Sequence, residues 1–135
     1  MSKQDQELIE AAKQVRLQSY SPYSKFAVGA ALRGKSGRIY TGVNVENASY
    51  PLTICAERAA IAAAISAGER AFDSIAVVTR TGATPCGACR QVLAEFGLNT
   101  RVIVVDTRNR KITYTVAELL PNGFDASQLS KFRKV

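Results

Sequence analysis

The chain has 135 residues, 47% of them hydrophobic, which suits one globular domain over residues 1–135 with a full core. No apolar run approaches the ~20 residues of a membrane span, and the polar, mixed-charge stretch from Met1 to Glu7 does not read as a secretion signal, so a cytoplasmic protein is expected. The net charge of +7 is scattered, with no basic stripe interleaved with aromatics, so neither nucleic acid nor a membrane is expected as a partner.

Residues 3–18 place Leu8, Ala12 and Val15 on one face, which predicts an amphipathic helix that Ser21-Pro22-Tyr23-Ser24 ends. Residues 26–32 read as a buried strand. Gly34-Lys35-Ser36-Gly37 turns the chain, and residues 38–45 return as the second strand of a hairpin. Residues 55–67 are almost all Ala and Ile, and a helix apolar on every side is a buried one. Its small side chains permit close approach by a sheet or by the same helix of another subunit. Gly68 suits the position just past its end.

Residues 74–79 form a third strand. Cys86 begins a turn into a helix that carries Val92, Leu93 and Phe96 and stops at Gly97. Residues 101–106 and 111–116 are a fourth and fifth strand. Glu118-Leu119-Leu120-Pro121 is a short helical turn, and the rest reads as a tail. Strands 3 and 4 enclose a helix, so they should be parallel with a right-handed crossover. Strands 4 and 5 are joined by only Thr107-Arg108-Asn109-Arg110, too few residues for a parallel connection, so they must be antiparallel. The expected fold is α/β: three layers, α-β-α, around a five-stranded mixed sheet.

The three cysteines fall in two segments, Cys55-Ala56-Glu57-Arg58 and Pro85-Cys86-Gly87-Ala88-Cys89-Arg90. The chain has no histidine, which removes Ser-His-Asp and Cys-His catalysis. Cys55 and Cys86/Cys89 each begin a helix, where free N–H groups favour thiolates. If they meet, three soft ligands leave a tetrahedral zinc one position short, the layout of a catalytic rather than a structural site. One zinc with three thiolates carries a net charge of −1 and needs compensation. Arg58, one helical turn from Cys55, and Arg90, next to Cys89, are the candidates to donate hydrogen bonds to sulfur. Glu57 beside a metal-activated water could move protons. The blander readings are a helix-start glutamate favoured by the dipole for Glu57, and a thiol redox pair for Cys86-Gly87-Ala88-Cys89.

A ligand-x-Glu segment paired with Pro-Cys-x-x-Cys is the signature of zinc deaminases. Residues 21–31, Asn44-Val45-Glu46-Asn47-Ala48-Ser49-Tyr50, Cys89-Arg90-Gln91 and Glu118-Leu119-Leu120-Pro121 extend the likeness. Together they make the chain resemble the small homotetrameric cytidine deaminases over nearly its whole length. The resemblance implies hydrolytic loss of the C4 amine of cytidine or deoxycytidine in pyrimidine salvage, with Glu57 shuttling protons to N3 and to the leaving amine. It implies Cys55, Cys86 and Cys89 as ligands of one zinc per chain. Asn44 and Glu46 would bind the ribose 3′-hydroxyl, Phe26 would pack against the base, and the Ala56 N–H would contact the base carbonyl. Tyr50 and Phe124 would complete the pocket of a neighbouring subunit.

Blasticidin-S deaminases are similar in size and zinc motif, but the full segment from Asn44 to Asn47 favours an ordinary nucleoside. Polynucleotide deaminases typically join strands 4 and 5 in parallel through a helix, which the short connection here excludes.

Overall fold

Ser2 starts helix α1 (Lys3–Arg16) by accepting the Asp5 N–H on its hydroxyl at 3.1 Å, an N-cap. Leu8, Ile9 and Ala12 face one way and are buried. The computed structural model describes residues 1–133. After α1 come β1 (Gly29–Gly34), β2 (Ile39–Val43), a 3-10 turn (Tyr50–Leu52) and α2 (Ala56–Ser66). Then follow β3 (Phe72–Val78), α3 (Gly87–Glu95), β4 (Arg101–Val105), β5 (Lys111–Thr115), α4 (Val116–Leu119) and α5 (Ala126–Arg133).

The five strands form one sheet in the order β2-β1-β3-β4-β5. β3 and β4 are parallel, with Ile75 opposite Val102 and Val77 opposite Val104. The other pairs, β1–β2, β1–β3 and β4–β5, are antiparallel. The tight β4–β5 connection is built on Asp106. Its Oδ1 accepts the N–H groups of Arg108 at 2.8 Å and Arg110 at 2.9 Å, and Asn109 takes a positive φ of 66°.

Alternate strand residues face opposite sides. Ala31, Ala76, Val78, Ile103 and Val105 pack with Leu8, Ile9 and Ala12 of α1. Ala30, Leu32, Ile75, Val77, Val102 and Val104 pack on the other face with Ala56, Ala60 and Ala64 of α2, Leu93 of α3, and Val116 and Leu119 beside them. The three layers and the mixed sheet are those expected from the sequence.

Gly42 explains how α2 is seated. A Cβ there would lie 2.4 Å from the Ala60 nitrogen and 2.6 Å from the Ala56 oxygen, so the helix backbone rests directly on β2. Only glycine permits this, and the small residues of α2 match it. Within the chain, however, α2 is not buried all round. Ala62, Ala63 and Ser66 are exposed, because the helix covers one face of a sheet and alanines on its far side have nothing to cover them.

Several element bounds also differ from the sequence reading. The first strand starts at Gly29 rather than at residue 26, since Phe26 and Ala27 belong to the loop that frames the site. Helix α1 stops at Arg16, before the Ser21-Pro22 turn. The segment read as a tail contains α5. Among the described residues, no helix is long and apolar enough to cross a membrane.

Candidate active site

Three loops are tied together at the ends of β1 and β2. The Tyr20 N–H donates to the Asn44 carbonyl at 3.0 Å, and the Glu46 N–H to the Tyr20 carbonyl at 2.9 Å. Val45 and Ile54 exchange both backbone hydrogen bonds at 2.9 Å. That last pair delivers the chain to Cys55, one residue on, at the N-cap of α2. Cys86 is the N-cap of α3 and Cys89 lies one turn inside it.

The three sulfurs converge. Cys55 Sγ and Cys86 Sγ are 3.9 Å apart, Cys86 Sγ and Cys89 Sγ 3.4 Å, and all three lie within 4.8 Å of one another. Cys89 is fully buried, Cys55 half-buried and Cys86 exposed. Hydrogen bonds from Cys89, then Arg58 and Cys86, bring the Cys55 thiol down to about 5. Cys89 is pushed up because it supplies the proton to Cys55 and is itself buried.

Arg58 Nη2 donates to Cys55 Sγ at 3.4 Å, as the helical spacing predicts. Its Nε is a buried N–H with no hydrogen-bond partner among the described residues, held beside the sulfur cluster. Three converging soft donors with a guanidinium against them fit a zinc ion, whose thiolates need positive charge nearby.

Arg90 does not join them. Its Nε donates to the Pro85 carbonyl at 2.7 Å, Nη1 to the Leu119 carbonyl at 2.8 Å and Nη2 to Thr84 Oγ1 at 2.8 Å. The expected arginine–sulfur contact is therefore replaced by a clamp on the ligand loop. Residue Arg90 follows Cys89 in the chain, but three oxygen acceptors outcompete a sulfur for its planar fork.

Glu57 is 5% exposed, and burial raises its carboxyl above the usual range, helped by the nearby Cys55. It lines a cavity of about 280 Å³ together with Phe26, Asn44, Glu46, Cys55, Ala56 and Cys86. Ala56 opens α2, so its N–H has no acceptor within the helix.

Asn44 is buried and largely committed to the fold. Its Oδ1 accepts from the Val28 N–H at 3.0 Å and Ser19 Oγ at 2.5 Å, and its Nδ2 donates to the Phe26 carbonyl at 2.8 Å. Of its four hydrogen-bonding positions, one N–H is left over. Glu46 Oε1 accepts the N–H groups of Tyr23 at 2.9 Å and Ser24 at 3.1 Å, while Oε2 accepts from Ser24 Oγ. The Ser24 hydroxyl, more than the backbone, lowers its carboxyl's pKa.

Tyr50 and Phe124 are 70% and 56% exposed. Tyr50 stands 5.8 Å from the Tyr23 ring and borders a second cavity of about 220 Å³, which shares Ser24, Glu46 and Thr53 with the first. Phe124 is outside both, and its carbonyl accepts from Gln91 Nε2 at 2.9 Å.

Sequence reading missed Arg80, whose guanidinium carbon lies 5.8 Å from the centre of the Phe26 ring, and Ser24 and Thr79, which line the cavity. Thr79 and Arg80 immediately follow β3, and ligands in α/β sheets gather beyond the carboxyl ends of strands, the signal that could have found them.

Three cysteine sulfurs gathered at two helix N-termini, with a buried carboxylate lining the same cavity, match the donor set of the zinc deaminase class. The family described as cytidine and deoxycytidylate deaminase zinc-binding region matches residues 2–106. The cytidine deaminase of Sporosarcina psychrophila is 47% identical over 128 residues, covering 93% of this chain and 94% of the relative. That of Halalkalibacterium halodurans is 48% identical over 128 residues, covering 93% and 97%. The crystal structure of cytidine deaminase from Burkholderia pseudomallei has a TM-score of 0.87 at 45% identity, covering 92% of this chain and all of that one. The chain belongs to the cytidine and deoxycytidylate deaminase zinc-binding family.

Proposed function

We propose that this protein hydrolyses the C4 amine of free cytidine and deoxycytidine, giving uridine or deoxyuridine and ammonia. One observation carries the nucleoside reading: Asn44 and Glu46, a pair suited to a sugar hydroxyl, line the same cavity as Glu57 and the Cys55–Cys86 sulfurs. Cys55, Cys86 and Cys89 hold one zinc per chain, and that ion, when bound, supplies the Lewis acidity that makes water a nucleophile near neutral pH.

The remaining work belongs to side chains and backbone. Glu57 takes one proton from the attacking water and delivers it to N3, then takes the second from the same oxygen, now bonded to C4, and gives it to the amine, so that the C4–N bond breaks as the C4 carbonyl forms. Burial poises its carboxyl nearer neutrality than a free glutamate, which favours both directions of transfer. Phe26 lies against the base, and the Ala56 N–H meets the base carbonyl. The ribose 3′-hydroxyl is held by Glu46, whose carboxylate is already oriented by Tyr23 and Ser24, and by the remaining N–H of Asn44. Arg58 offsets the excess charge of the thiolates.

Residues 1–135 form one such catalytic domain. Exposed Tyr50 and Phe124 and the uncovered alanines of α2 support assembly with other copies, in a homotetramer whose neighbours complete one another's pockets. The cytoplasm, and salvage of pyrimidine nucleosides there, is the setting that suits a free-nucleoside substrate.

The test is an ultraviolet assay for loss of cytidine with zinc measured in parallel. Turnover of free cytidine with about one zinc per chain, and none of single-stranded oligonucleotide, is expected. Activity on single-stranded DNA with none on cytidine would overturn the substrate, and a metal-free protein cycling a Cys86–Cys89 disulfide would overturn the reaction class.

A further inference from the structure

The tripeptide Cys89-Arg90-Gln91 does three things at once. Cys89 turns its buried sulfur toward those of Cys55 and Cys86. Arg90 points the other way and gathers three acceptors: the Pro85 carbonyl, Thr84 Oγ1 and the Leu119 carbonyl. Gln91 Nε2 reaches the Phe124 carbonyl. Two of Arg90's bonds fix residues 84 and 85, which lead into Cys86, and its own N–H donates to the Cys86 carbonyl at 3.0 Å. The third bond and the Gln91 bond fix the backbone of residues 119–124, the segment that carries exposed Phe124.

We propose that Arg90 and Gln91 couple metal ligation to the placement of the Phe124 segment. In this reading Arg90 is a positioning residue. It holds the turn from Thr84 to Cys89 in the shape that presents two sulfurs, and it uses the carbonyl at the end of α4 as its anchor. The zinc-loaded turn in return holds Arg90 still, and through it residues 119–124.

The physical case rests on the fork geometry. A guanidinium presents donors in one rigid plane, so three acceptors from two separate segments fix one another's positions. Among the described residues, α4 is a single turn, capped by Thr115 and Glu118, and the Leu120 N–H returns to Val116. Coupling between two sites is reciprocal in free energy. Loosening the Arg90 clamp must weaken the metal, and removing the metal must loosen residues 119–124. Groups that orient metal ligands without touching the metal typically change affinity by about 10- to 100-fold when lost.

The proposal rests on zinc at the three cysteines, not on the nucleoside substrate. It is read by zinc release and amide exchange, so its failure is distinguishable from failure of the deaminase assignment. The experiment uses the full-length holoprotein. Zinc release into an excess of a chromophoric chelator is timed for wild type, Arg90→Ala and Arg90→Lys. Hydrogen–deuterium exchange is followed in peptides covering residues 117–125 and, as a control, residues 3–16, in zinc-loaded and chelated wild type and in Gln91→Ala.

Release should be at least about tenfold faster in both Arg90 variants, because a lysine cannot span three separated acceptors. Chelation should raise exchange in 117–125 and leave 3–16 unchanged, and Gln91→Ala should raise it in 117–125 while zinc is bound. Wild-type release rates in Arg90→Lys, unchanged exchange in 117–125 on chelation, or an equal rise in 3–16 would each overturn the coupling. If Arg90→Ala does not fold, the lysine variant and the wild-type chelation arm decide alone.

Discussion

Arg58 Nη2 sits 3.4 Å from Cys55 Sγ, one helical turn along α2, and the same guanidinium keeps a buried Nε without a hydrogen-bond partner among the described residues. The helix supplies this contact by its period alone, and in the proposed zinc site it would offset part of the thiolate charge. Zinc with three thiolates is anionic, and each hydrogen bond to sulfur draws off part of that charge. Arg58→Ala should therefore lower zinc affinity about 10- to 100-fold. Competition with a chromophoric chelator measures it, and wild-type affinity would refute the role.

Glu57→Gln separates binding from proton transfer. The amide keeps the shape but cannot accept and release protons, so zinc should remain near one per chain while turnover falls about 10²- to 10⁴-fold. Metal analysis beside the cytidine assay checks both. Loss of zinc with activity would instead make Glu57 part of the metal's support.

Gly42 tests the seating of α2. A methyl group there meets backbone of Ala60 and Ala56, which cannot rotate away, so Gly42→Ala should cost about 1–3 kcal/mol in urea unfolding. An unchanged midpoint would mean that the helix does not rest on β2 this closely.

Asp5 and Arg101 give a pH-dependent contribution to stability. Arg101 donates to both carboxylate oxygens, at 3.0 and 2.9 Å, and pins α1 to the start of β4. That hydrogen bonding lowers the Asp5 pKa in the folded chain below the ordinary 3.8. The folded pKa is depressed, so the contribution is present above the unfolded value and is lost as pH falls through the folded one. Asp5→Asn should cost about 1.5–3 kcal/mol at pH 7. The gap between variant and wild type should hold down to roughly pH 5 and close only below the unfolded value near 3.8. A gap unaffected by acid would exclude the ion pair as its source.

Local pattern was enough for much of the molecule. Side-chain period revealed the helices and strands, and the four residues between strands 4 and 5 forced their antiparallel pairing, because so short a connection cannot cross a sheet. Cys55-Ala56-Glu57 and Pro85-Cys86-Gly87-Ala88-Cys89 disclosed the three-cysteine cluster, and the one-turn offset disclosed the Arg58–Cys55 contact. These are relations between residues near in sequence, or between motifs whose chemistry requires them to meet.

Only the tertiary structure decided what depends on competing partners distant in the chain. Arg90 is adjacent to a ligand, yet Leu119, far along the sequence, supplies an oxygen that draws its guanidinium away from sulfur. Asn44 read as a substrate contact, yet most of its amide stabilises the loop at Phe26 and Val28. The alanines of α2 read as buried all round, yet Ala62 and Ala63 face outward, because one sheet covers only one side of a helix. A sequence specifies which groups a residue offers. Which acceptor or surface meets them is set by long-range packing, since hydrogen-bond geometry and close contact are satisfied only once distant segments have been brought together.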